Sequence, residues 1–199
     1  MPQRVFSEKT RDELRDRMLS AGISLLREYG MVHMSVEKIA ASAGIGKSTF
    51  YNFFPSKEAY ICKVLDHNRM KFQELFQTKL AGRNKMTQIE AEEMFRMIIT
   101  SKASPYQYLT PEDLHKLKAA VPEELFPDLT SEKQLLNSLF CHIESVRAIP
   151  DYAVIANLMK IIAITIEHRD HLHQEGYEST MNTLLHLLNS LIFAEESPL

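Results

Sequence analysis

The chain has little of what crosslinks or interrupts a fold. Of its 199 residues two are Cys, six Gly, eight Pro and none Trp. Cys62 and Cys141 are too few for a disulfide framework or a four-ligand cysteine zinc site. Both lie inside apolar helical patterns and are expected to be reduced core thiols. The scarcity of Gly and Pro leaves little room for low-complexity linkers. No window approaches 18 apolar residues, so no transmembrane helix is expected. The opening Met1-Pro-Gln-Arg leads into a charged helix rather than an apolar h-region, so no signal peptide is expected and the location should be cytoplasmic. Strand alternation and internal repeats are missing, which points to an all-α fold. There is no Gly-x-Ser-x-Gly, no Gly-rich phosphate loop and no recognisable pair of buried carboxylates, so no catalytic residue is assigned.

What remains is an ordinary globular composition, 45% hydrophobic and 25% charged. The length suits one large or two small domains. The net charge is -3. It is unevenly spread. Residues 1-60 hold nine Lys and Arg against seven Asp and Glu, and the remainder holds fourteen against nineteen. A mildly basic head on an acidic body would keep a polyanion at one end.

Residues 34-57 organise the rest. They read as two short helices joined by a tight turn. Ser35 is a good N-cap for the first, since its hydroxyl can accept from an orphan amide. Val36, Ile39, Ala40 and Ala43 share one apolar face. Gly44 supplies the left-handed residue that ends this helix, and Ile45 is the buried residue of the turn. The second helix is expected from Lys47 to about Phe53, with Pro55 stopping it. Its Phe50, Phe53 and Phe54 point to the core. Lys47, Ser48, Tyr51 and Asn52 share the opposite face, with Thr49 at its edge. A cation, short hydrogen-bonding groups and a phenol suit the major groove of DNA, where cations meet phosphates and Asn can pair with adenine.

At these residues the segment resembles the DNA-binding domain of TetR-family transcriptional regulators. The family pattern is roughly Ala-x-x-x-Gly-Val, then Ser-Lys-Gly-Thr-Leu-Tyr-His-Tyr-Phe, then x-Ser-Lys-Glu. Its spacing is kept from Ala40 to Glu58. Gly46 departs from a common Ser, losing a hydroxyl, and Asn52 stands where His or Tyr is common.

The resemblance implies an N-terminal three-helix helix-turn-helix bundle, residues 1-55 with the motif at about 35-54. A C-terminal helical domain for effector binding and dimerisation would follow over 56-199. The implied function is a ligand-responsive repressor, a homodimer on a palindromic double-stranded DNA operator. Lys47, Tyr51 and Lys57 are expected on phosphates, with Ser35 a weaker candidate, and Ser48, Thr49 and Asn52 on bases. An arm with Arg4 and Lys9 precedes the first helix, which runs from Ser7 or Thr10 to Tyr29 with Gly30 as C-cap. Two other readings stay open: a helical scaffold binding ligand or protein without DNA, and an enzyme.

The body continues the helical pattern. Ser56 caps a helix carrying Ile61, Val64, Leu65, Phe72, Phe76 and Leu80, ended by Gly82. Further helices are expected over 87-101 (Ile89, Met94, Met97, Ile98 apolar), from Thr110-Pro111 to Ala120, and over 131-147 (Leu135, Leu136, Leu139, Phe140, Ile143, Val146). The last two, 152-166 and 184-193, are apolar nearly all round, which suggests a subunit interface. In the family the last two helices of each chain pair in a four-helix bundle. Ten Met, with Tyr106, Tyr108, His142 and Phe95, would suit a small apolar effector. His168, His171 and His173 beside Asp170 and Glu167 resemble ligands, but basic helix C-termini are common. No metal or cofactor is expected.

Overall fold

The computed structural model describes residues 8-101, 108-126 and 136-194. Arg4 of the expected arm, Tyr106, Leu135 and the helix start near 131 lie outside them, whereas Lys9 of that arm is helical. The described residues form helices α1 (Glu8–His33), α2 (Val36–Ser42), α3 (Lys47–Phe50), α4 (Lys57–Leu80), α5 (Gln88–Thr100), α6 (Pro111–Ala120), α7 (Tyr152–Glu167) and α8 (Tyr177–Ile192). The chain is all-α with an N-terminal helix-turn-helix. Among the described residues, extended pairing is limited to the isolated bridges Met86–Ile143 and Val146–Phe193.

Local chemistry sets most boundaries. Ser35 accepts from the Lys38 amide and Ser56 from the Ala59 amide. Thr87 with Glu90, and Thr110 with Asp113, make reciprocal capping boxes. Asp151 accepts from the amides of Ala153 and Val154. Gly30 takes φ 63°, breaking α1 just before its last turn, where sequence placed its end.

Two compact units form, and they do not divide at 55/56. The first holds the described residues up to Lys71 together with 108-126; the second holds those from Phe72 to 101 and from 136 to 194. α4 is therefore continuous across the division. Its 24 residues span about 36 Å.

The first core gathers Met18, Leu26, Met34, Ile39, Phe50, Phe54, Tyr60 and Ile61, with Leu117 from α6. α1 and α4 touch closely there. Gly22 is buried, and the buried Tyr60 hydroxyl donates to the Met18 carbonyl at 2.8 Å. Burial alone pushes the Tyr60 phenol upward, so it serves this core as a neutral donor. Tyr108, expected near an effector, packs against this first core instead.

The second core gathers Phe76, Met86, Met94, Phe95, Phe140, Ile155, Ile162, Leu185 and Leu188. Three expectations change there. α5 buries Ala91, Met94, Phe95 and Ile99, leaving Ile89 and Met97 exposed. The helix expected through 147 is helical only to Phe140 among the described residues. Ser145 then takes φ 59°, while Met86 donates to the His142 carbonyl and accepts from Glu144. A helix would consume those groups internally, so bridge formation ends it. Finally, Cys141 is exposed, whereas Cys62 is buried with its thiol pushed up to about 11, chiefly by desolvation.

Candidate nucleic-acid interface

The turn before α3 follows from one residue. Gly44 adopts φ 69°. The Ile45 amide then donates to the Ala40 carbonyl and the Gly44 amide to Ala41, both at 3.0 Å. These two bonds are the Schellman pattern, which needs a left-handed residue just past the helix. Ile45 is half-buried against the first core.

α3 is shorter than the sequence suggests. It has four residues, and 51-53 form turns with Asn52 and Phe53 donating to Thr49 and Phe50. Its N-cap, Gly46, makes no side-chain cap bond. A helix this short has no stability of its own in water. Aromatic packing supplies it: Phe50 lies 5.5 Å from Phe54 and 5.9 Å from Tyr60, and Phe54 lies 5.1 Å from Tyr60. Such pairs contribute roughly 0.5–1.5 kcal/mol each beyond burial. The recognition segment is thus held from beneath, which leaves its other face free.

That face is the expected one. Lys47, Ser48, Tyr51 and Asn52 are exposed and Thr49 is half-buried at the edge. Phe53, expected in the core, is only half-buried. Arg11 of α1 lies 5.5 Å over its ring and donates to the Asn52 carbonyl at 2.9 Å. Arg11 therefore fastens the C-terminal end of the segment.

The lysines are already engaged. Lys47 donates to Glu37 of α2 at 2.5 Å, both side chains more than half exposed. Hydrogen bonding from Lys47, then the Glu37 amide and the Ser35 hydroxyl, holds the Glu37 carboxyl at about 2. Ser35, Glu37 and Lys47 are thus one linked group, and Ser35 also caps α2. Lys57 donates to the Met31 carbonyl at 3.0 Å, and Lys38 to the His33 carbonyl at 3.0 Å while lying 3.6 Å over the Tyr29 ring. Both secure the strand of chain after Gly30. Sequence reasoning missed Arg11, Glu37 and Lys38. Only Glu37 left a trace, an acid facing a base across the turn.

A family model for bacterial regulatory proteins of the tetR family matches residues 18–60. Residues 18–60 are thus similar to the DNA-binding segment of that family. EthR of Mycobacterium tuberculosis, an HTH-type transcriptional regulator, is 41% identical over 49 residues, covering 25% of this chain and 23% of EthR. The matched segment thus spans about a quarter of that relative. Over the whole chain the likeness is one of fold. FadR of Bacillus halodurans, a fatty acid degradation regulator, superposes with a TM-score of 0.60 at 15% identity, covering 89% of this chain and 95% of that one. FadR of Bacillus subtilis, solved with stearoyl-CoA, gives 0.53 at 18% identity, covering 88% and 97%. TetR-family regulators are generally non-enzymatic. No helix of the described residues is long and apolar enough to cross a membrane.

The second unit presents an exposed apolar helix face and a small cleft. Val154, Ile161 and Ile164 of α7 and Leu187 of α8 remain exposed, and 154, 161 and 164 share a helical face. A cleft of about 140 Å³ lies between α5 and α8, lined by Ile89, Phe95, Arg96, Leu185, Leu188 and Asn189. Small-molecule sites usually hold about 300–1,000 Å³, so this cleft does not admit a drug-sized ligand as it stands. The rings of His168 and His171 stack 5.5 Å apart.

Proposed function

We propose that this chain is a sequence-specific DNA-binding transcriptional regulator of the TetR family, acting as a homodimeric repressor under control of a small apolar effector. The observation that carries the reading is the two-sided recognition segment. Phe50 and Phe54 lock it to the first core while Lys47, Ser48, Tyr51 and Asn52 face solvent. In this reading Lys47, Tyr51 and Lys57 hold phosphates, Ser35 assists, and Ser48, Thr49 and Asn52 face base edges. Lys57 would keep Met31 as a partner or exchange it for phosphate.

The dimer forms through 152-172 and 177-194. The exposed Val154, Ile161, Ile164 and Leu187 support this, because an apolar stripe on a helix is stabilised by a partner surface. Two recognition segments related by a two-fold axis read half-sites about 34–36 Å apart, or a multiple of a turn. The effector binds the second unit, and α4 carries the change because its chain is continuous into the first. Bacillus subtilis FadR, of the same fold, holds stearoyl-CoA, which makes long acyl compounds the first effectors to try. An effector acts only by differential affinity for the two states, with couplings of about 1–3 kcal/mol.

The test is selection of bound duplexes from random sequence, followed by salt titration. Enrichment of a near-palindrome with a log-log slope of several units supports the reading. Absence of salt-dependent duplex binding refutes it and leaves a scaffold that acts without DNA.

A further inference from the structure

We propose that Glu37 is a specificity-determining residue that withholds Lys47 from phosphates until the correct duplex is seated. The inference rests on the DNA-binding reading above.

The geometry is asymmetric. Lys47 opens α3 on its solvent-facing side, yet its ammonium is closed onto Glu37. Glu37 lies in the first turn of α2, where the helix dipole favours an anion. The Glu37 carboxylate sits on a short stem of α2, and Lys47 reaches it from α3 on a longer one. A phosphate approaching Lys47 also approaches Glu37.

Contact then exchanges one ion pair for another. Lys47 gains a phosphate, and Glu37 is left as an unpaired anion beside the DNA backbone. The net positive charge brought to DNA is smaller by about one than the count of contacting lysines implies. Loose, sequence-independent binding depends almost wholly on phosphate charge. It therefore bears this cost without compensation, whereas a matched site offsets it with base contacts at Ser48, Thr49 and Asn52. An ordinary surface ion pair does none of this; it adds little stability and leaves no salt signature on DNA.

The experiment uses the full chain and a mixed-sequence duplex, so no operator need be known. Affinity is measured from 50 to 200 mM salt for wild type, Glu37→Gln, Lys47→Ala and the double variant. Circular dichroism verifies that each is folded. Glu37→Gln should bind the mixed duplex more tightly, with a log-log slope steeper by about 0.9. Its advantage over wild type should accordingly grow about 3.5-fold as salt falls from 200 to 50 mM. In the Lys47→Ala background the same change should have a clearly smaller effect, because no lysine is released. Equal slopes for wild type and Glu37→Gln overturn the proposal, as does an identical Glu37→Gln effect with and without Lys47. A wild-type chain that binds no duplex at all would instead overturn the function on which the proposal stands.

Discussion

Replacing Gly22 by Ala tests the close approach of α1 to α4. A Cβ built on Gly22 would lie 2.2 and 2.6 Å from the two γ carbons of Val64 and 3.0 Å from its β carbon. Carbon atoms normally rest about 3.5–4.0 Å apart, so α1 and α4 must part by more than 1 Å. Rotation cannot relieve this. Both γ carbons and the β carbon are involved, and Val in a helix has essentially one χ1 rotamer. Overpacking typically costs about 1–3 kcal/mol, and this geometry argues for the upper end. Alanine's helix propensity returns about 0.8–1.0 kcal/mol. The net loss is then about 2 kcal/mol. For a chain of this length each 1 kcal/mol moves Tm by roughly 2–4 °C. Thermal unfolding followed by far-UV circular dichroism should therefore shift down by roughly 4–8 °C. Adding Val64→Ala removes the obstructing methyls, so the double variant should lose less than the sum of the two singles. A Tm for Gly22→Ala equal to or above wild type would refute the reasoning, since it would leave only the propensity gain.

Lys57→Ala should weaken binding to all duplexes alike and flatten the salt slope by about one unit, whereas Asn52→Ala should relax preference at one base pair of a selected site; unchanged binding in both removes the assignment. Ile161→Glu or Leu187→Glu should give folded monomers in sedimentation, because both side chains are exposed in the single chain. Leu188→Glu should instead unfold the second unit, since Leu188 is fully buried in its core and an unpaired buried charge is strongly destabilising; folded monomers from Leu188→Glu would contradict that placement. Glu90 accepts from the Arg83 guanidinium on both oxygens and from the Thr87 amide, and its carboxyl is held at about 2 against an ordinary 4.5. Because the folded value is depressed, its stabilisation is complete above about pH 4.5 and lost as pH falls toward 2; a carboxylate NMR titration of Glu90 near 4.5 would eliminate the contribution.

The sequence by itself determined what depends on neighbours along the chain. Ser35 and Ser56 cap where they were expected to, because capping needs only a side-chain oxygen and an amide two or three residues on. Gly44 produces its turn because few other residues accept positive φ cheaply. The exposed face of Lys47, Ser48, Tyr51 and Asn52 was legible for the same reason, being the complement of an aromatic anchor at Phe50 and Phe54. Tertiary structure decided the rest. Periodicity marks a face as apolar without naming what covers it. Ile89 and Phe95 of α5, or Leu187 and Leu188 of α8, differ only in which side meets the second core. α3 ends at Phe50, and the 136-140 helix ends where Met86 takes its backbone partners, because those choices depend on distant segments. The bonds from Arg11 to Asn52 and from Lys57 to Met31 join residues 41 and 26 apart. Contacts at such separations leave no period in the chain, so only the folded protein could bring them together.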